Sequence, residues 1–342
     1  MLKLIASALL LFTCTSLTAG DWVSPTDTKY MNRNPGLFAK FAAARSVMDG
    51  YRGRSSDLNY VGSNLQEILN QEPGFAPAYM EFGRVYISLA HTSYKNYRQK
   101  EMHIAEWAIN KAIELEPEYA DAHVLKGYLY TNMNRYDEAK KSLDKAEEIG
   151  TEIPWLRLNR AELLDRMGKH EEALLLYKRT VSEGTNNKTA YVAALEGLKS
   201  ISTQLGRYEE ANAAYIQTIE FEPESAWNWG NYAHFLLYYY KDTDGAIENG
   251  RKTLSIMNYG AARMTLASSL YTKWVALKAE GKLEEAQAHF DEASTLFPDT
   301  TSIEQRLIGF PHLRHVATEL AIQSYKTNPP GVLLRDGTIS SR

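Results

Sequence analysis

The sequence predicts an all-α solenoid of antiparallel helix pairs. Three observations carry that expectation. A six-residue pattern recurs as Asn134–Ala139, Gly168–Ala173, Gly206–Ala211 and Gly281–Ala286, each reading turn residue, base, bulky side chain, two acids, alanine. The alanines are regularly spaced: Ala105, Ala139 and Ala173 are 34 residues apart, then Ala211, Ala246 and Ala286 follow at 38, 35 and 40. A small residue stands twelve positions before two of them, Gly127 before Ala139 and Ala161 before Ala173. A fixed period of this length marks a repeat architecture.

Each part of the pattern has a physical reason. Gly or Asn can take the left-handed conformation that ends one helix. The acids then fall in the first turn of the next, where the macrodipole favours negative charge. Small residues at the crossing let two helices approach closely. Pro73, Pro117, Pro223 and Pro298 stand where units should close.

In chain order, Met1–Gly20 reads as a secretory signal peptide. Lys3 precedes an apolar run to about Leu17, and Thr18, Ala19 and Gly20 offer the cleavage site. The run is shorter than the roughly 20 residues a spanning helix needs and holds Ser7, Thr13, Thr15 and Ser16. An alternative is a lipoprotein acylated at Cys14, the only route to membrane attachment. Residues 21–35 read as a flexible lead-in and 36–75 as a degenerate N-terminal helical repeat. The array of about six units covers 76–299, with an insertion near 90–99. Residues 300–326 read as C-terminal capping helices, a solenoid's usual end, and 327–342 as a loose tail. Cys14 is the single Cys of the 342 residues, so the mature chain has no disulfide. Export without disulfides suits the periplasm or outer surface of a bacterium.

The 34-residue period, with Gly127, Ala139 and Ala146 small, Tyr130 and Tyr136 aromatic, and Pro117 ahead, resembles the tetratricopeptide repeat. Ala78-Tyr79, Phe82-Gly83 and Tyr86 resemble its first helix, as do Trp229, Tyr232 and Ala233. The resemblance implies a right-handed superhelix whose concave face is lined by the first helix of each unit. Two departures stand out: Lys199 occupies a small-residue position, and the last unit has a long first helix, roughly 262–280.

No catalytic constellation is present. There is no phosphate loop, no Gly-x-Ser-x-Gly elbow and no His-Glu-x-x-His zinc motif. His312, His315 and Glu319 could share a helix face as metal ligands, but ordinary polar residues of a capping helix explain them more simply. Lys plus Arg number 38 and Asp plus Glu 42, a net charge of −4, which gives no footprint for nucleic acid. No metal, cofactor or catalytic residue is expected.

The resemblance implies a non-catalytic scaffold or adaptor of the bacterial cell envelope, binding partner peptides or helices on its concave face. The alternative is a soluble peptide or small-ligand receptor using the same groove. Helical period places Met80, Arg84, Tyr128, Asn159, Glu162, Asn231, His234 and Tyr238 on that face as partner-binding candidates. Tyr238–Tyr240 run consecutively and cannot all point inward on an α-helix, so at least one should be exposed.

Overall fold

A computed structural model describes residues 23–51, 53–93 and 96–327, with short strand pairs at Val332–Leu333 and Ile339–Ser340. The leader 1–20, its Cys14, and most of the 327–342 tail lie outside the described residues. No helix among the described residues is long and apolar enough to cross a membrane.

Seventeen α-helices make up almost all of the described chain. After α1 (Pro25–Arg33) they run as consecutive pairs: α2 (Pro35–Asp49) with α3 (Ser55–Gln71), α4 (Ala76–Ala90) with α5 (Gln99–Leu115), α6 (Ala120–Asn132) with α7 (Tyr136–Ile149), and α8 (Pro154–Arg166) with α9 (His170–Glu183). The order continues with α10 (Lys188–Gln204) and α11 (Tyr208–Phe221), α12 (Ala226–Phe235) and α13 (Thr243–Ile256), α14 (Gly260–Ala279) and α15 (Leu283–Leu296), then α16 (Thr300–Ile308) and α17 (Arg314–Thr327). The chain divides into two compact units, Met1–Lys169 with Arg179–Tyr191, and His170–Lys178 with Val192–Arg342.

The turn chemistry decides where each pair folds back. Asn134, Gly168, Gly206 and Gly281 have φ of 60°, 77°, 71° and 79°, all left-handed. Each reverses the chain so that two acids enter the first turn of the next helix: Asp137 and Glu138 in α7, Glu171 and Glu172 in α9, Glu209 and Glu210 in α11, Glu284 and Glu285 in α15. The small residues are required by contact. A Cβ on Gly83 would sit 2.4 Å from Ile109, and one on Gly127 would sit 2.5 Å from Leu143. Such separations are far inside van der Waals contact.

Lys199 stands at the position equivalent to Gly127. It is buried, pairs with Glu196 at 2.6 Å, and places its ammonium 4.9 Å from the centroid of the Tyr215 ring. Tyr215 in turn stands where Leu143 stands, four residues past the repeat alanine. A long cation on an aromatic face thus replaces a glycine against leucine.

Three segments take a definite form that the sequence left open or read otherwise. The lead-in is not loose from Pro25 onward. Ser24 caps α1 through the Asp27 amide at 3.0 Å, and Pro25 suits the first helical position. Tyr30, 2% exposed, then donates to Gly74 O at 2.8 Å and to Glu116 Oε1 at 3.0 Å. Arg33 pairs with Glu72, and Asp27 accepts from Arg45 at 2.5 Å and Tyr119 at 2.8 Å. The insertion forms an antiparallel hairpin, β1 (His91–Ser93) with β2 (Asn96–Tyr97), closed by Arg98 N–H on Ala90 O at 2.8 Å.

The third is the tyrosine run. After α12 the backbone continues as a π-turn over Leu236–Tyr240, with Asp242 N–H reaching back to Leu236 O at 2.9 Å. The wider turn changes the spacing of successive side chains around the axis. Tyr238 is buried while Tyr239 and Tyr240 are half-buried, so none of the three is fully exposed.

Candidate functional site

The first helices of the first unit carry a polar row fixed by hydrogen bonds. Arg166, near the end of α8, donates Nε to Glu162 at 2.9 Å and Nη2 to Asn132 Oδ1 at 2.8 Å. Asn132 ends α6, 34 residues earlier. Tyr128, one turn back on α6, meets Tyr97 of the hairpin with its hydroxyl, O···O 3.1 Å. Burial pushes the Tyr128 phenol well above its usual pKa, helped by the Tyr97 hydroxyl, so both remain neutral donors and acceptors. Glu162 and Tyr128 are half-buried, so this row is reachable from solvent.

Other candidates in this unit are committed to the fold. Asn159 is buried and donates Nδ2 to Val124 O at 3.2 Å, tying α8 to α6. Met80 is buried against Ala112, Tyr119 and Ala122. Both positions give a partner little to touch, because the helices in front of them are packed closed. Arg84 joins a charged hub. It pairs with Asp49 at 2.6 Å and Glu81 at 3.2 Å and donates to Met48 O at 3.3 Å. Glu81 is fully buried, and burial pushes its carboxyl above the usual range despite Arg84 and Arg45 beside it. The hub holds α1, α2 and α4 together rather than presenting a free cation.

In the second unit, Asn231 is exposed, His234 half-buried and Tyr238 buried. The His234 and Tyr238 rings lie 4.5 Å apart, and the Phe310 ring lies 4.5 Å from that of Tyr238. The Arg306 guanidinium sits 5.2 Å from the Tyr238 ring centroid. Burial, with Arg306 nearby, pushes His234 down to about 4, so its imidazole is neutral at neutral pH. Arg84 and Tyr128 belong to the first unit, and His234 to the second.

Two of the three residues weighed as metal ligands have other partners. His312 Nε2 lies 3.1 Å from Leu237 O, a carbonyl inside the π-turn, and Glu319 pairs with Lys278 at 3.0 Å. His315 is exposed. Among the described residues no group of His, Cys, Asp and Glu is placed to hold a metal ion. Two open clefts, of about 460 and 530 Å3, are lined by Asp244, Arg251, Lys273 and His289, and by Asn59, Gln66, Phe82 and Tyr86. Neither is lined by Arg84, Tyr128 or His234.

Asn132, Arg166 and Arg306 were not among the sequence candidates. Arg166 was within reach of the repeat period, since it stands 34 residues after Asn132 and four after Glu162. Arg306 carried no such signal, because the period ends before it.

Stacked helix pairs with left-handed Gly or Asn turns and small crossing residues define an all-α, tetratricopeptide-like solenoid. The comparisons agree. Residues 108–141 match the tetratricopeptide repeat family model. No curated protein matches the chain in sequence. Among solved structures, the chain is similar to the Cut9–Hcn1 hetero-tetramer of the APC/C, at 16% identity and a TM-score of 0.54, over 72% of this chain and 45% of that one. It thus spans less than half of that protein. Two further similarities are weaker. PilF of Pseudomonas aeruginosa shows 16% identity, TM-score 0.48, over 69% of this chain and 97% of that one. YrrB, described as a TPR protein with an unusual peptide-binding site, shows 22% identity, TM-score 0.39, over 58% and 95%.

Proposed function

We propose that this chain is a non-catalytic interaction scaffold that receives a protein or peptide partner on the face formed by its first helices. The observation that carries the reading is the row Tyr97–Tyr128 and Asn132–Arg166–Glu162. Its donors and acceptors are fixed by one another before a partner arrives, which lowers the entropy cost of binding. Tyr and Arg are also the side chains that most often dominate binding energy. The Glu162 carboxylate and the tyrosine hydroxyls in the row can serve a partner backbone as acceptors and donors. Export to a bacterial cell envelope is part of the proposal and rests on the leader pattern at 1–20.

The test is affinity purification of the tagged protein from the envelope of its native host, with mass spectrometry of companions and N-terminal sequencing of the mature chain. The expected result is a stoichiometric partner, lost in Arg166→Ala and in Tyr128→Ala while the melting temperature holds, and a mature N-terminus after Ala19 or Gly20. Capture that survives both substitutions would remove the row from the binding surface.

A further inference from the structure

The second helix of the first pair, α3, carries an uncharged polar stripe. Asn59, Ser63, Gln66 and Asn70 follow one another at spacings of four, three and four residues, which puts them on one face. All four are exposed. The Gln66 amide donates to Asn70 Oδ1 at 3.0 Å, which leaves Gln66 Oε1 and the Asn70 amide hydrogens open. Among the described residues the side chains of Asn59 and Ser63 have no hydrogen-bond partner. Opposite this stripe α4 presents Phe82 and Tyr86, one turn apart. Their rings are nearly parallel, 19° apart with centroids at 5.9 Å, and both are half-buried. Stripe and rings line the same open cleft of about 530 Å3. Its one charged lining residue, Glu67, is paired with Lys40 of α2, so the cleft holds no free charge.

Gly62 lies on the same face of α3, midway along the helix, and also lines the cleft. Other helical glycines answer to packing. A Cβ on Gly83, Gly127 or Gly197 would sit 2.4, 2.5 or 2.4 Å from Ile109, Leu143 or Tyr177. A Cβ on Gly62 would meet nothing within 4 Å. Glycine inside a helix is less favourable than alanine, so the fold gains nothing from it here. What the glycine preserves is room in the cleft.

We propose that the cleft between α3 and α4 is a binding site for a neutral saccharide chain. Amide and hydroxyl side chains carry both donors and acceptors, the groups that neighbouring sugar hydroxyls require. The Phe82 and Tyr86 rings add apolar surface with a negative face, which attracts the C–H side of a sugar ring. An anionic ligand would find no unpaired cation among the lining residues. An apolar side chain would cover the amides without pairing them, a loss that binding must absorb. A partly apolar cleft of this size with a few convergent polar groups has the character of a small-ligand site. Gly62 lets a sugar ring settle close to the helix backbone. The site lies on α3 and α4, apart from the row on α6 and α8, and stands whether or not that row receives a partner.

The experiment uses the whole chain labelled with 15N. Cellotetraose, chitotetraose and maltotetraose are added separately, and the side-chain amide signals of Asn59, Gln66 and Asn70 are followed. Each signal is assigned by its loss in Asn59→Asp, Gln66→Glu or Asn70→Asp. The expected result is saturable shifts of these signals with at least one of the glycans, with a Kd on the order of 1 mM. Gly62→Leu fills the open space from an exposed helix face. It should hold or raise the melting temperature and weaken that glycan about tenfold or more. Asn59→Ala is the second variant and should weaken binding with the melting temperature unchanged. No saturable shift with any of the three glycans, or full affinity in either folded variant, would overturn the proposal. A capped, uncharged hexapeptide of Ser and Asn, or trigalacturonic acid, binding tighter than every neutral glycan would overturn the ligand assignment.

Discussion

The ammonium of Lys199 lies 4.9 Å from the centroid of the Tyr215 ring, buried between α10 and α11 where other pairs meet through glycine and leucine or isoleucine. Its only carboxylate partner among the described residues is Glu196, which is half exposed and screened by water. Packing and the ring contact therefore carry most of the stabilisation. Lys199→Ala should cost on the order of 2 kcal/mol, seen as a lower urea midpoint. Lys199→Met keeps the volume and should recover a good part of the loss. Equal midpoints for all three proteins would show that the ammonium and its stem contribute nothing.

One substitution should have opposite signs at two glycines. In α6, a Cβ at Gly127 meets Leu143 at 2.5 Å and the Ala139 carbonyl at 3.4 Å, so Gly127→Ala should destabilise by about 1–3 kcal/mol. In α3, a Cβ at Gly62 meets nothing within 4 Å, and the residue is mid-helix. Gly62→Ala should stabilise by about 0.5–1 kcal/mol through lower chain entropy and better helix propensity. Thermal melts of the two variants check both signs at once.

His234 makes stability depend on pH. Its folded-state pKa of about 4 lies below the ordinary value of about 6.5, so the unfolded chain binds a proton first as pH falls. The stability it contributes is complete above pH 6.5, declines between 6.5 and about 4, and is flat below. The full loss is on the order of 3 kcal/mol. His234→Gln should remove that slope. A wild-type and variant difference that stays constant from pH 7 to pH 4.5 would contradict the burial of the imidazole.

The π-turn leaves Leu237 O without a helical partner, and His312 supplies one at 3.1 Å. An unpaired carbonyl there costs about 1–3 kcal/mol. His312→Ala should therefore speed amide exchange over residues 236–242 and lower the melting temperature, with little change in the first unit. Unchanged exchange would mean that water serves the carbonyl as well as the imidazole does.

Asn159 separates structure from binding. Its amide reaches Val124 O at 3.2 Å from a buried position. Asn159→Ala should cost about 1–2 kcal/mol of stability and leave partner capture intact in the fraction that stays folded. A loss of capture at full stability would put Asn159 back on the binding face.

Much of the site was only half legible. Glu162 and Tyr128 were named from helical period, which is a local property of the chain. The same period also named Met80, Asn159 and Tyr238, which are buried. Period says which side of a helix a residue takes, and the neighbouring helix decides whether that side is open. Tyr97 was visible in the insertion, yet nothing in the sequence placed its hydroxyl on Tyr128.

What the sequence determined by itself is the repeat: its period, the left-handed turns at Asn134, Gly168, Gly206 and Gly281, the acids after them, and the glycines at the crossings. Each depends on residues within one helical hairpin, so short-range sterics and the helix dipole suffice. What only tertiary structure decided is everything set by distant partners. Residues 25–33 became a helix docked through Tyr30 and Asp27 to groups 18 to 92 residues away. Three consecutive tyrosines were absorbed by a π-turn whose spare carbonyl His312 meets from 75 residues on. Among the described residues Arg306 was left with a thioether, because no described carboxylate packs against it. Burial and pairing energies of this kind arise only when separate elements meet, and no local pattern encodes them.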